Sequence, residues 1–180
     1  MWLAPSCKPW CKWAQFNMMR SPELARKIMS LREDEQVHLL LVEALFDFQC
    51  WRGDDCHTHL EQPAGSELFY HDVLAKMYLK MLMSRCDQCV AGKLVHPETK
   101  EPIKKAMQIL TTSPILANAL DKLRCPGNHI HHQIAGSCKY QGERMNLSRF
   151  TELYSAAFAQ RVCRCMLAMC TSERSHSHQR

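Results

Sequence analysis

Twice in this chain a serine followed by a proline stands at the head of a run whose apolar residues recur every three or four positions. At Ser21-Pro22-Glu23 the serine can satisfy orphan backbone donors, the proline loses nothing at the first helical position, and the glutamate faces the helix dipole. Leu24, Ile28 and Leu31, then Val37, Leu41, Ala44 and Phe48, follow at helical spacing. That pattern predicts one long amphipathic helix with room for an interruption near residues 32–35 and a stop at Gly53-Asp54-Asp55. Ser113-Pro114 repeats the start before Leu116, Leu120 and Leu123. Two further stripes read the same way: Phe69, Val73, Met77 and Met81 after Ser66, and Phe150, Tyr154, Ala157, Val162, Cys165 and Met169 near the end. Short candidate strands lie between them, at residues 56–60, after Arg85, and at 107–110. Strands alternating with helices predict an α/β sandwich rather than a helical bundle. Residues 1–20 show neither period and read as a loop-rich start.

Composition narrows the class. With 180 residues, 46% of them hydrophobic and 23% charged, the chain can bury a core without staples. Its eleven cysteines are an odd number, and no basic stretch followed by an apolar one opens it, which argues against a secreted disulfide scaffold. The longest uncharged run, residues 106–120, is shorter than the ~20 apolar residues a membrane span needs and contains Pro114. The expected setting is therefore intracellular, cytoplasm or nucleus, with free thiols and no membrane partner. A formal net charge of +5 permits contact with DNA or RNA without requiring it.

Free thiols beside ten histidines raise metal ligation. Cys86-x-x-Cys89 and Cys125-x-x-x-His129-x-His131 supply soft and borderline ligands in two knuckle-like pairs, the donor set tetrahedral zinc takes, against the plainer reading of core thiols and a solvated histidine loop. Trp2, Trp10, Trp13 and Phe16 interleave with Lys8 and Lys12, a pattern that can stack on and neutralise single-stranded nucleic acid or simply pack a core edge. Lys104-Lys105 could face a phosphate or solvent.

A thiol and a carboxylate form another constellation. Pro5-Ser6-Cys7-Lys8-Pro9 presents Cys7 on a proline-set loop with Lys8 nearby to favour the thiolate, and Glu61-Gln62-Pro63 places a carboxylate just past a candidate strand. The arrangement resembles DNA cytosine-5 methyltransferases, in which a strand ends in Pro-Pro-Cys, a helix follows, and the next strand ends in Glu-Asn-Val. The resemblance implies Cys7 as nucleophile on the base, Glu61 as base clamp, and Gln62, Lys104 and Lys105 as substrate contacts. A longer resemblance covers most of the chain. Trp2-Leu3-Ala4-Pro5, the stretch from His59 to Ser66, Asp87-Gln88-Cys89 with Gly92, Lys104-Lys105, Leu110 to Ser113, and Cys125 through His129 and His131 to Ala135-Gly136 follow in order. That succession is similar to a segment of copia-type retrotransposon polyproteins of protists, itself methyltransferase-like. It implies a retroelement setting and neighbouring polyprotein regions as partners.

S-adenosylmethionine needs a glycine-rich turn after the first strand, and the six glycines never form Gly-x-Gly. The expectation is an incomplete Rossmann-like, methyltransferase-like α/β sheet with flanking helices over residues 1–170, lacking its N-terminal cofactor half, and a disordered tail over 171–180. Such a chain would bind no S-adenosylmethionine alone and would be catalytically silent unless the upstream half were supplied. The other readings are a zinc-stabilised nucleic-acid-binding module and a methyltransferase part that works with that upstream region.

Overall fold

The computed structural model describes residues 1–53 and 56–177, with side chains described as far as residue 170. The fold is mixed α/β with a mixed sheet. Chain order is β1 (Trp2–Leu3), α1 (Lys12–Arg20), α2 (Pro22–Arg52), β2 (His59–Pro63), two single 3-10 turns (Glu67–Tyr70 and Asp72–Leu74), and α3 (Ala75–Lys80). Then come β3 (Leu82–Asp87), α4 (Gln88–Ala91), β4 (Ala106–Thr111), α5 (Pro114–Asp121), the hairpin β5 (Ser137–Tyr140) and β6 (Glu143–Asn146), α6 (Leu147–Phe150) and α7 (Ala156–Ser177). Four strands form one sheet in the order β1-β2-β4-β3, and β5 pairs with β6 apart from it. By contacts the chain divides into unit 1 (Met1–Ser84 with Gln108–Ala117) and unit 2 (Arg85–Met107 with Asn118–Arg180).

In unit 1, β1 and β2 run parallel with Trp2 opposite His59 and Leu3 opposite Leu60. Parallel strands need a crossover, and the long α2 supplies it. Its start is as the sequence reads: the Ser21 hydroxyl accepts from the Glu23 and Leu24 amides, and Pro22 occupies the first turn. The helix then runs unbroken through 32–35; Ile28 is buried as expected, but beyond it the buried face differs from the expected one. Leu39, Val42 and Phe46 are buried together with Trp10, Leu60, Leu68, Leu74, Met77 and Leu110, whereas Val37, Leu41 and Phe48 are exposed. Both sets have helical spacing. They are offset by two residues and so stand about 160° apart on the helix, and periodicity alone does not say which face meets the sheet.

Other local expectations also shift. Residues 12–20 are helical as α1 rather than loop, with Ala14 buried. The stripe after Ser66 becomes two 3-10 turns, the first capped by the Ser66 hydroxyl on the Leu68 amide, and only then α3. Glu61 and Gln62 lie within β2 rather than beyond its end. Helix α7 continues to Ser177, so the tail expected over 171–180 is helical that far, and 178–180 lie outside the described residues, as does the Asp54-Asp55 stop.

Unit 2 has its own core of Leu94, Ile103, Cys138, Leu147 and Phe150. The β5–β6 hairpin pairs antiparallel from Ser137–Asn146 to Tyr140–Glu143. Its turn uses Gln141 at φ 51° and Gly142 at φ 87°, the two left-handed residues that a tight hairpin matching strand twist requires. Gly92 answers a different demand. A Cβ there would meet the Gln88 side-chain oxygen at 2.1 Å and the Ser155 hydroxyl at 2.6 Å, so any larger residue would have to displace these two side chains.

Candidate metal centre

Unit 2 gathers four ligand atoms, from Cys89, Cys125, His129 and His131, all within 4.8 Å of one another, and the group could hold a metal ion. Cys89 comes from the first turn of α4, directly after β3, and the other three from the segment that follows α5. Cys125-Pro126-Gly127-Asn128 makes the turn: Gly127 takes φ 75°, and its amide donates to the Cys125 sulfur at 3.4 Å. A backbone N–H aimed at a cysteine sulfur fixes the direction in which that sulfur is presented. The Cys125 Sγ lies 3.7 Å from His129 Nε2 and 3.3 Å from His131 Nε2. A tetrahedral zinc with Zn–S of about 2.3 Å and Zn–N of about 2.0–2.1 Å sets sulfur and nitrogen about 3.5 Å apart, between those two distances.

The surroundings orient the ligands. His129 Nδ1 lies 3.0 Å from the Asn128 side-chain oxygen, which fixes the proton on Nδ1 and leaves Nε2 with its lone pair toward Cys125. Asp87 accepts from the Cys125 amide at 2.8 Å, and its own amide donates to the Leu123 carbonyl at 3.0 Å. Burial pushes the Cys89 thiol up to about 11, with the hydrogen bond and charge of Cys125 adding to it. Burial lowers the pKa of His131, and the neighbouring His129 and Lys104 lower it further, which favours the neutral ring that can ligate. Two cysteine sulfurs held together in a half-buried site, with two imidazole rings beside them, make an arrangement that a divalent cation would relieve.

Four of the five residues singled out for metal ligation are thus brought together, and Cys86 stands apart. It is buried in β3, three residues before Cys89, and the change from strand to helix at Asp87 separates the two thiols that a turn would have paired. His132 also points away from the group, with its Nδ1 2.6 Å from Glu101 and its ring 4.2 Å from that of His96. Asp87 and Asn128 were not singled out as functional. Asn128 follows Gly127 in the turn, which was the available signal; the contact of Asp87 with residue 125 had none.

The thiol–carboxylate pair lies in unit 1. Because β1 and β2 are parallel, the Pro5–Cys7 loop and the end of β2 fall on the same side of the sheet. The Gln62 amide donates to the Pro5 carbonyl at 2.6 Å, and its oxygen accepts from the Ser66 hydroxyl at 3.1 Å. Gln62, expected to contact substrate, is therefore occupied in tying the Cys7 loop to β2. Glu61 is buried, and Cys7 is half-buried with its carbonyl accepting from the Trp10 and Cys11 amides. Of the basic pair, Lys105 donates its amine to the Thr151 carbonyl at 2.7 Å, while Lys104 is close enough to bear on His131. Trp10 is buried under the Arg32 guanidinium, 4.6 Å from its ring, so it packs the core, whereas Trp13 and Phe16 are exposed.

Charge is unevenly placed. Unit 2 carries fourteen Lys and Arg against seven Asp and Glu, a net of +7, and unit 1 nine against eleven, a net of −2. No helix is long and apolar enough to cross a membrane among the described residues. Compared with protein-family models, curated proteins and solved structures, the chain matches none.

Proposed function

We propose that this chain is a zinc-stabilised nucleic-acid-binding module on an incomplete Rossmann-like, methyltransferase-like framework, belonging to a copia-type retroelement polyprotein and silent in methyl transfer by itself. The convergence of Cys89, Cys125, His129 and His131 within 4.8 Å carries the reading. Two sulfurs and two imidazoles favour zinc over harder cations, and four protein ligands leave no open position, which suits a structural rather than a hydrolytic metal. Zinc would pin the irregular segment after α5 to the end of β3, where few apolar side chains are available to do so. Binding free energy of that kind acts as folding free energy.

The nucleic-acid partner rests on the +7 of the unit that holds the ligands. Such an excess attracts phosphates through counterion release, with affinity that falls as salt rises. The methyltransferase-like framework is supported by the β1-helix-β2 crossover, which sets Cys7 and Glu61 on the same side of a parallel pair. Catalytic silence rests on the missing Gly-x-Gly turn and on the use of Gln62 within the fold.

Elemental analysis of protein purified without a histidine tag tests the metal, with about one equivalent of zinc expected per chain. Less than a tenth of an equivalent overturns it. Fluorescence anisotropy with a labelled single-stranded oligonucleotide tests the partner: binding should weaken steeply between about 50 and 200 mM salt. No binding at the low-salt end, or binding indifferent to salt, overturns that half of the proposal.

A further inference from the structure

Helix α2 carries a second apolar stripe that the fold leaves uncovered. Val37, Leu41, Ala44, Phe48 and Trp51 are spaced four, three, four and three residues apart, all are exposed, and Leu40 widens the band. Val37 is 70% and Trp51 80% accessible. The rings of Phe48 and Trp51 stack at 5.9 Å, which holds the end of the stripe as one apolar surface. The alternation of three and four is the seam one helix presents to another, since the mean step of 3.5 keeps the contacts on a single line. A contiguous patch of this size on one helix is more than a soluble monomer usually shows.

We propose that this stripe is the interface of a homodimer in which α2 packs antiparallel on α2 of a second copy, with the two-fold axis at Ala44. The stripe is self-complementary in that arrangement. Ala44, the small residue at its centre, lets the helices approach, and the aromatic half, Phe48 and Trp51, falls on the aliphatic half, Leu41 and Val37, of the other copy. The antiparallel register also brings Arg52 of each copy toward the acidic turn at Glu33 and Asp34 of the other, which a parallel register does not. The six side chains offer on the order of 500 Å² per copy, or about 1,000 Å² for the pair, the lower bound of a specific interface. The buried stripe of Leu39, Val42 and Phe46 is on the opposite side of the helix, so pairing leaves the core of unit 1 intact.

Sedimentation of the zinc-loaded full chain tests this. At about 50 µM the mass should be twice 20.9 kDa and should fall toward the monomer on dilution. The double variant Leu41→Glu/Phe48→Glu should be monomeric with unchanged helical circular dichroism. Val37→Glu, at one exposed end of the stripe, provides the same readout with less risk to folding and should dissociate the dimer at least partly. A photo-crosslinking amino acid in place of Ala44 should join α2 to α2. A wild-type monomer at this concentration overturns the proposal and leaves the stripe to a different helical partner. A dimer that survives both Val37→Glu and the double variant, or crosslinks that map outside α2, overturns it equally.

Discussion

The carboxylate of Asp87 accepts a hydrogen bond from the backbone amide of Cys125 at 2.8 Å, across 38 residues of sequence. By that contact the last residue of β3 positions the turn that presents three of the four candidate ligands, while the next residue but one, Cys89, presents the fourth. Asp87 touches none of the ligand atoms that would meet a metal, so it is a positioning residue. Asp87→Ala should keep about one equivalent of zinc but weaken its binding about 10–100-fold, the usual effect of losing an outer-shell partner. Competition against a chromophoric chelator measures this, and an unchanged constant would mean the turn holds its shape alone.

The two cysteines of the Cys-x-x-Cys pair should behave differently. Cys89→Ser removes a ligand and should lower zinc content sharply. Cys86→Ser leaves the four-atom group whole and should retain zinc, while putting a hydroxyl where a buried thiol sits costs stability of about 1–3 kcal/mol. Zinc analysis and urea unfolding of the two variants side by side give opposite patterns. Loss of zinc in both would restore Cys86 as a ligand.

That contrast also marks what was legible in the sequence. The ligand set could be read because cysteine and histidine at short spacing have few other uses, and because Cys125-Pro-Gly-Asn is a turn by its own chemistry. The inclusion of Cys86 followed from taking Cys-x-x-Cys as a turn, and only the tertiary placement of α4, closed against Gly92 and Ser155, shows that a strand and a helix divide it. The caps at Ser21 and Ser66 were legible because capping is local. The buried face of α2 was not, since two stripes of similar regularity compete and burial is decided by what β2, β4 and α3 present to the helix. Cys7 and Glu61 reach one side of the sheet through a parallel crossover that sequence order alone only suggests.

Gln62 should matter for stability rather than for any reaction. It is 1% exposed and bridges the half-buried Pro5 carbonyl to the buried Ser66 hydroxyl, so Gln62→Ala strands both partners. The expected cost is about 2 kcal/mol, or a fall in Tm of about 4–8 °C for a chain this long. Differential scanning fluorimetry measures the Tm, and maleimide labelling followed by peptide mapping should show Cys7 reacting faster in the variant, because the loop that carries it loses its tie to β2. A Tm within a degree of wild type would show the bridge to be idle.

His59 sets an acid limit on the fold. It is buried in β2, and the hydroxyl of Thr111, 2.7 Å from Nδ1, already accepts the Ser113 amide, so its proton points to Nδ1 and the ring is neutral with hydrogen on Nε2. Burial lowers its pKa from 6.5 to about 3, and the positive charges of the Met1 amine and His57 act in the same direction. As pH falls below about 6.5 the unfolded chain takes up this proton and the folded chain does not. Stability is therefore full above that pH and declines as pH drops toward 3, with a slope approaching 1.4 kcal/mol per unit. Acids titrate at the lower end of the same range, so the contribution of His59 is the difference between wild type and His59→Asn, which keeps an acceptor for Thr111 but has no proton to gain. Unfolding free energies from urea titrations at pH 7.5 and pH 4.5 should draw together in the variant by about 1–3 kcal/mol relative to wild type. Equal pH dependence in the two proteins would mean that the buried ring takes its proton without unfolding the strand around it.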